Sequence, residues 1–232
     1  MREVFDVAAR EGIQTIKLEM DAGGSPFVVH TAVLWDEQEV VLIDTGLAGQ
    51  LPLIRDTFAK ADIPLEKLTK IIITHQDRDH IGSPPELVSY GEGRIQVLAH
   101  EAAIPYLAGE TALLKSGAFA TPVKVDQALQ DGDILPYAGG IQVFHTPGHS
   151  PDHISLYHIP SKTLISGDAL TAEDGVLLSF DPNFTLDRAT AVQSMAKLAK
   201  LDVESVIAYH GGVCTKEIKE RLAELIETTP AN

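Results

Sequence analysis

Ionisable side chains are concentrated in a short stretch of the sequence that directly follows an apolar run. The stretch from His75 to His80 reads HQDRDH, and Ile71-Ile72-Ile73 precede it with only Thr74 between. Imidazole and carboxylate are the groups that hold Zn²⁺, Fe²⁺ or Mn²⁺ in proteins. Carboxylates this close together repel one another unless a cation lies between them. The stretch therefore has two interpretations, a metal site and a solvated charged loop.

The isoleucine run predicts a strand that is buried on both faces and whose end holds the polar residues in place. Because side chains alternate along a strand, His75 and Asp77 point the same way if the extended chain continues past Thr74. A turn at Arg78 would bring the next two residues, Asp79 and His80, to a second point nearby. The spacing thus predicts two adjacent groups of ligands.

Three later strand ends carry the same types of residue. His149 lies in HTPGHSPDH, where Pro147 and Gly148 predict a tight turn, Asp168 ends the run LISGD, and His210 ends VIAYHGG. A polar loop on its own needs no such partners elsewhere in the chain. The repetition of His and Asp at strand ends favours one shared metal site.

The elements that must position these residues alternate along the chain. Strands predicted over 12–20, 27–35 and 39–46 form an antiparallel group, because the connection over 36–39 is short. Shorter strands recur later, and no linker or repeat interrupts the pattern. We expect two β-sheets packed together with helices outside them, in one domain over residues 1–232.

Helices are predicted over 49–61, 186–200 and 216–227, where amphipathic patterns indicate packing against the sheets. A further helix begins directly after the HQDRDH stretch. Pro84 suits its first position, and Ser83 and Glu86 have the spacing of a capping box. The charged stretch is therefore expected between a strand end and a helix start.

Composition restricts the classes of function. The 232 residues include 33 acidic and 18 basic side chains, for a net charge of −15, which repels polyanions and argues against a general nucleic-acid binder. No apolar run approaches the roughly 20 residues of a membrane span, and the start MREVFDVAAREG lacks the pattern of a signal peptide. We expect a cytoplasmic protein with a small-molecule substrate and no nucleic-acid or membrane partner. The single cysteine, Cys214, excludes an internal disulfide and a multi-cysteine zinc site.

Five motifs, in this order, resemble those of the metallo-β-lactamase-fold hydrolases. They are LIDTG (42–46), HQDRDHIG (75–82), HTPGHS (145–150), SGDAL (166–170) and YHGG (209–212). Together they span most of the chain, and the sequence is identified as a member of that family by these matches. The resemblance implies an α/β (α+β) fold, a four-layer αββα sandwich, with the site on the rim between its two mixed sheets.

The resemblance also implies roles for the matching residues. The first of two divalent metal ions would be held by His75, Asp77 and His149. The second would be held by Asp79, His80 and His210, with Asp168 bridging the two ions. Asp79 and Asp168 would be the catalytic carboxylates.

Three residues are predicted to orient the ligands from outside. Asp44 would position the HQDRDH loop, and a plain turn residue before Gly46 is the alternative reading of Asp44. His145 and His153 flank the ligand turn around His149 and would act on it in the same way.

The sequence departs from the family at Asp77, where the usual residue is His. A third carboxylate lowers the net positive charge of the site and favours harder ions, and flavodiiron proteins of the same fold have Glu at this position and bind iron. Iron or manganese is therefore expected at least as readily as zinc. The alternatives are that Asp77 does not coordinate, which would leave one metal, or that the chain is an iron-binding redox or sensor protein with little hydrolase activity.

The expected reaction is hydrolysis by a hydroxide that bridges the two ions, with Asp79 accepting a proton. The quorum-sensing lactonases of the family have Tyr at the position of Thr171, and the commonest β-lactamases have Cys at the position of Asp168. The sequence therefore lacks a feature of each of these two enzyme groups. A small ester, lactone or thioester remains, under apolar segments over 103–121 and 172–186 that are candidates for a lid. The sequence leaves open the physiological substrate, the metal and whether the chain forms a homo-oligomer.

Overall fold

The computed structural model describes residues 12–230 and consists of β-strands and helices in alternation. Its strands, in chain order, are β1 Gly12–Asp21, β2 Pro26–Trp35, β3 Val40–Ile43, β4 Leu68–Ile73, β5 Gln96–His100, β6 Gln127–Leu129, β7 Ile134–Leu135, β8 Ile141–His145, β9 Ile154–His158, β10 Thr163–Gly167, β11 Leu170–Glu173, β12 Val176–Ser179, β13 Ser205–Ala208 and β14 Gly212–Cys214. Its α-helices are α1 Leu51–Lys60, α2 Pro84–Tyr90, α3 Ile104–Leu107, α4 Arg188–Leu198 and α5 Ile218–Thr228.

These strands form two six-stranded sheets and a small hairpin. The first sheet has the order β1-β2-β3-β4-β5-β6, the second has the order β14-β13-β10-β9-β8-β7, and β11 pairs with β12. Strands β1 to β3 are antiparallel, as predicted, whereas β3 to β6 run parallel. In the second sheet β10 and β13 are parallel and the remaining pairs are antiparallel. The two mixed sheets with helices outside confirm the predicted αββα architecture.

Three apolar layers hold the sandwich together, and β4 contributes to two of them. Ile72 packs between the sheets, against residues such as Val143 of β8. Ile71 and Ile73 point the other way and pack with Phe58 of α1. All three isoleucines are fully buried. The isoleucine run is therefore a strand covered on both faces, as predicted, and its end is fixed rigidly.

The third apolar layer lies between the second sheet and helices α4 and α5. Leu164 of β10 and Val206 of β13 pack there with Met195 of α4 and Leu222 of α5. The helices predicted over 49–61, 186–200 and 216–227 are thus present, with ends that differ from the prediction by one or two residues.

The predicted capping box at the start of α2 is wrong, although Pro84 does occupy the first helical position. Ser83 makes no side-chain cap, because its hydroxyl donates to the carbonyl oxygen of Leu47 at 2.8 Å. Glu86 instead accepts the backbone N–H of Gly49 at 2.9 Å. Both side chains therefore tie α2 to the segment before α1, a contact that local spacing does not reveal.

None of the helices among residues 12–230 has the length and apolar character that a bilayer crossing requires. The single-domain prediction for residues 1–232 stays a prediction, and residues 1–11 and 231–232 of that range lie outside the described part of the chain.

Candidate metal centre

The structure brings all seven predicted ligands together at one rim of the sandwich. Each lies just beyond the end of a strand, in the loops that follow β4, β8, β10 and β13. Their ligand atoms form two groups, each with members within 4.8 Å of one another: His75, Asp77, His149 and Asp168, and beside them Asp79, His80 and His210.

In the first group, two histidines and two carboxylates converge. Oδ2 of Asp77 lies 3.3 Å from Nε2 of His75 and 3.0 Å from Nε2 of His149. Oδ2 of Asp168 lies 3.3 Å from the same nitrogen of His149 and 3.9 Å from that of His75. Asp77 therefore faces the same point as the other members, as its alternation with His75 predicts.

In the second group, Oδ2 of Asp79 lies 3.7 Å from Nε2 of His80 and 3.4 Å from Nε2 of His210. Asp168 also reaches this group, with Oδ1 3.4 Å from His80 and Oδ2 3.4 Å from His210. The Asp168 carboxylate thus lies between the two groups.

These residues fit a divalent metal ion. Ligands about 2.0–2.2 Å from a tetrahedral ion lie roughly 3.3–3.6 Å from one another, close to most of the separations above. Among the described residues, the buried Nε2 atoms of His75 and His80 and the buried Oδ1 of Asp168 have no hydrogen-bond partner. Buried polar atoms without partners are costly, and a bound cation would satisfy all three.

Opposite charges shift the pKa values of Asp168 and His210 towards the charged form of each group. Burial alone would raise the pKa of Asp168, but the His80 and His210 imidazoles offset burial and hold that pKa well below its usual range. Burial likewise disfavours the charged form of His210, yet the Asp168 and Asp79 carboxylates raise its pKa to about 9. The carboxylates are therefore ionised at neutral pH, the form in which they bind metal.

Asp44 fixes the two histidines that follow β4. Its carboxylate accepts the backbone N–H of Thr74 at 2.8 Å, the Thr74 hydroxyl at 2.7 Å and Nδ1–H of His80 at 2.8 Å. Because the Thr74 hydroxyl donates to Asp44, its oxygen is free to accept Nδ1–H of His75, 3.0 Å away. With Nδ1 of each ring engaged in this way, Nε2 is the nitrogen that both imidazoles direct at the centre. This contact pattern supports the orienting role predicted for Asp44 over a plain turn residue.

His153 acts on Asp168 through the backbone. Its Nε2 accepts the N–H of Asp168 at 2.9 Å, and its Nδ1 lies 2.9 Å from the Thr146 hydroxyl. Burial first, and then the neighbouring His75 and His149 rings, hold the pKa of His153 well below its usual range, so the ring is neutral. It therefore positions Asp168 without adding charge.

His145 is not brought to the ligands. Its ring stacks on His100 with centroids 4.1 Å apart, and Nε2 lies 2.8 Å from the carbonyl oxygen of Pro151. His145 consequently contacts the loop that carries His149 and not a candidate ligand atom.

A comparison with known proteins identifies the family. The family model described as the metallo-beta-lactamase superfamily matches residues 24–210. The chain belongs to this superfamily.

Individual members of the superfamily are similar over most of the chain. A probable metallo-hydrolase of Bacillus subtilis, YflN, is 31% identical in an alignment 214 positions long that covers 80% of this chain and 80% of that protein. The crystal structure of the superfamily protein ST1585 from Sulfolobus tokodaii superposes with a TM-score of 0.71 at 21% identity, and the match covers 95% of this chain and 87% of that chain. An atrochrysone carboxyl ACP thioesterase of Pseudocercospora fijiensis is 23% identical over 186 residues, 78% of this chain but 47% of that protein. The predicted family and fold are thereby confirmed, and the homologues' names indicate a metallo-hydrolase.

Tyr209 and Lys115 contact the candidate metal centre and were not predicted from the sequence. The Tyr209 hydroxyl donates to the backbone carbonyl of Asp79, and its ring lies 3.8 Å from that of His80 between centroids. The Nζ atom of Lys115 lies 2.5 Å from Oδ2 of Asp77. Tyr209 is part of the YHGG motif and could have been found there, whereas nothing in the residues around Lys115 marks it.

A cavity of about 1020 Å³ opens onto the centre. Asp77, Asp79, His149, Asp168 and His210 form its floor. Apolar side chains form much of its wall, namely Phe27, Leu47, Ile81, Leu113, Phe119 and Phe184. Of the predicted lid segments, 103–121 supplies Leu113 and Phe119, and 172–186 supplies Phe184. The cavity therefore suits a substrate with an apolar part beside the reacting group.

Proposed function

We propose that the chain is a dinuclear metal-dependent hydrolase of a small ester, lactone or thioester. The observation that carries the proposal is the position of Asp168, whose carboxylate lies 3.3 Å from Nε2 of His149 in one ligand group and 3.4 Å from Nε2 of His210 in the other. A carboxylate shared between two groups is the arrangement expected for a bridge between two ions. His75, Asp77 and His149 would hold one ion, and Asp79, His80 and His210 the other.

The cavity supports the proposed substrate class. Its floor offers carboxylates and imidazoles, and its apolar wall offers contact to an acyl or alkyl chain. The thioesterase name of one relative agrees with an acyl substrate. We infer that the scissile carbonyl lies over Asp168 and that the acyl chain extends towards Phe119 and Phe184.

Two divalent ions bound here would supply a Lewis acid and a water molecule of lowered pKa. The residues of the chain supply position and proton transfer. Asp79 lines the cavity floor and is held in place through its backbone carbonyl, which accepts the Tyr209 hydroxyl. We assign to Asp79 the proton released when water attacks, and to Asp168 the alignment of the two halves of the centre.

Asp77 supports a proposal about which metals the site accepts. A carboxylate at this position, 3.0 Å from Nε2 of His149, adds a hard, negative ligand to the first group. Hard oxygen ligands favour manganese and iron, so we propose that either is accepted at least as readily as zinc. The same residue favours a second candidate function, an iron-binding redox or sensor protein with little hydrolase activity.

Further proposals concern the setting of the enzyme. We propose a cytoplasmic protein that acts on a small molecule and has no nucleic-acid or membrane partner. The net charge of −15 supports the exclusion of nucleic acid.

The test is a panel of chromogenic esters, lactones and thioesters assayed with Mn²⁺, Fe²⁺ and Zn²⁺ in parallel. His80→Ala removes a candidate ligand, and His145→Ala is the matched control, because His145 does not contact a candidate ligand atom. The proposal predicts turnover in the wild type and in His145→Ala and its loss in His80→Ala. Iron binding without turnover above the His80→Ala level would favour the redox or sensor function.

A further inference from the structure

Lys115 occupies a position that the proposed function leaves unexplained. Its ammonium nitrogen lies 2.5 Å from Oδ2 of Asp77 and 2.5 Å from Nε2 of His149. These two atoms are 3.0 Å apart and belong to the same candidate ligand group. An ammonium has three donors and no acceptor, so both atoms act as acceptors towards it. They would offer the same lone pairs to a divalent ion.

The backbone around Lys115 is fixed by contacts on both sides. The N–H of Leu114 donates to Oε1 of Gln76 at 2.8 Å, and Nε2 of Gln76 donates to Asp152 at 3.0 Å. Gln76 and Asp152 are fully buried. The turn is closed by the N–H of Gly117, which donates to the carbonyl oxygen of Leu113 at 2.8 Å. Gln76 thus attaches the Lys115 turn to the HQDRDH stretch itself.

The burial of Lys115 is also unusual for a surface turn. Its side chain is 19% exposed and that of Asp77 is 15% exposed. Burying an ammonium requires a partner, and Asp77 is the carboxylate that stands where the family usually has a neutral His. The extra negative charge of Asp77 and the positive charge of Lys115 therefore offset each other.

From this geometry we propose that Lys115 is a tethered cation that competes with a divalent ion for the His75, Asp77 and His149 group. The inference rests on the proposed two-metal site. In the second group, Asp79, His80 and His210 face no such ammonium in the described contacts. The two halves of the centre therefore fill with different affinities, the second group first, and Lys115 must leave the Asp77 carboxylate before the first group fills.

The test is calorimetric titration of metal-free protein with Mn²⁺ and, separately, with Zn²⁺. Lys115→Met keeps an unbranched side chain, one atom shorter, and removes its charge. In this variant no ammonium forms hydrogen bonds with Asp77 and His149, so none has to be displaced when a metal ion binds there. We therefore expect the weaker binding step to tighten by about tenfold or more and the tighter step to change little.

Arg78→Met is the matched control, because it removes one positive charge from an exposed residue of the same cavity wall. We expect it to change both steps by less than about threefold, since exposed charges are screened. Equal tightening in the two variants would assign the effect to net charge and would overturn the inference. An unchanged titration of Lys115→Met would overturn it as well.

A second measurement uses the wild-type chain and so does not depend on the folding of a variant. Acetylation of Lys115, measured by mass spectrometry relative to Lys124, whose side chain is 83% exposed, should rise several-fold when the protein is loaded with metal. Protection of Lys115 that is the same with and without metal would contradict displacement.

The outcomes separate this inference from the proposed function. If Lys115→Met tightens the weaker step but the substrate panel gives no turnover, the hydrolase proposal fails and the inference stands. If neither wild type nor Lys115→Met binds metal, both fail.

Discussion

The imidazole of His80 donates from Nδ1 to Oδ2 of Asp44 across 2.8 Å, and both side chains are buried. Asp44 belongs to the chain directly after β3 and His80 to the loop after β4, so the hydrogen bond joins neighbouring strand ends. It leaves Nε2 of His80 directed at the candidate metal centre. Asp44 thus determines which nitrogen of His80 is available to a metal.

We expect Asp44→Asn to weaken metal binding in the second group by about 10- to 100-fold, because an amide neither stabilises the His80 tautomer as strongly nor accepts as many hydrogen bonds. The measurement is metal affinity by titration. Asn tolerates the positive φ of 61° at this position, so the fold should persist. Asp62→Asn is the control, since Asp62 has a φ of 57° and an exposed side chain. Equal metal affinity in Asp44→Asn and wild type would contradict the role of Asp44.

A comparison of variants at His153 and His145 tests whether the hydrogen bond from the Asp168 N–H to His153 supports metal binding. His153→Ala removes the acceptor of the Asp168 N–H, and we expect metal affinity to fall by about tenfold. His145→Ala should leave affinity within about twofold, because its contacts are with His100 and Pro151. Metal content after dialysis at limiting free metal measures both. Similar losses in the two variants would show that His153 has no specific role.

Gly211 permits a close approach that supports His210. Its φ is 111°, and a Cβ there would lie 1.7 Å from the carbonyl oxygen of Ala172. We expect Gly211→Ala to lower the free energy of unfolding by on the order of 3 kcal/mol or more, since it adds a backbone clash to left-handed strain. Gly175→Ala is the control, with a φ of 78° and no neighbour closer than 4.0 Å, and should cost about 1 kcal/mol. Chemical denaturation measures both, and equal losses would contradict the clash.

A substitution of Phe184 tests whether the acyl chain of the substrate lies against the apolar wall of the cavity. The residue is 61% exposed yet lines the cavity, so an acyl chain would cover it. We expect Phe184→Ala to lower kcat/KM for an octanoyl thioester by about tenfold and to leave an acetyl thioester almost unchanged. Leu186→Ala is the control, because Leu186 is 52% exposed and is not part of the described cavity wall. An equal loss for both chain lengths would place the acyl chain elsewhere.

Much of the fold and all seven candidate ligands could be predicted from the sequence, because each ligand lies in a loop that follows a short β run. At His75, Asp168 and His210 the end of the strand fixes where the side chain lies, so the β pattern in the sequence also predicts the place of the ligand. Lys115 could not be predicted, because it lies in an irregular turn that Gln76 attaches to the centre from 38 positions away. Glu86 could not be predicted for the same reason. Its spacing from Ser83 indicated a cap of α2, but its carboxylate accepts a hydrogen bond from the distant backbone N–H of Gly49.

We propose that hydrolysis depends on ions held by the ligand groups on both sides of Asp168. The most direct measurement is the initial rate of thioester hydrolysis as metal-free protein receives increasing Mn²⁺ or Zn²⁺, with Asp168→Asn measured in parallel. We expect no turnover without metal, a rate that follows filling of the weaker site, and a loss of about 100-fold or more in Asp168→Asn. Turnover in metal-free protein, or equal rates in wild type and Asp168→Asn at saturating metal, would contradict it.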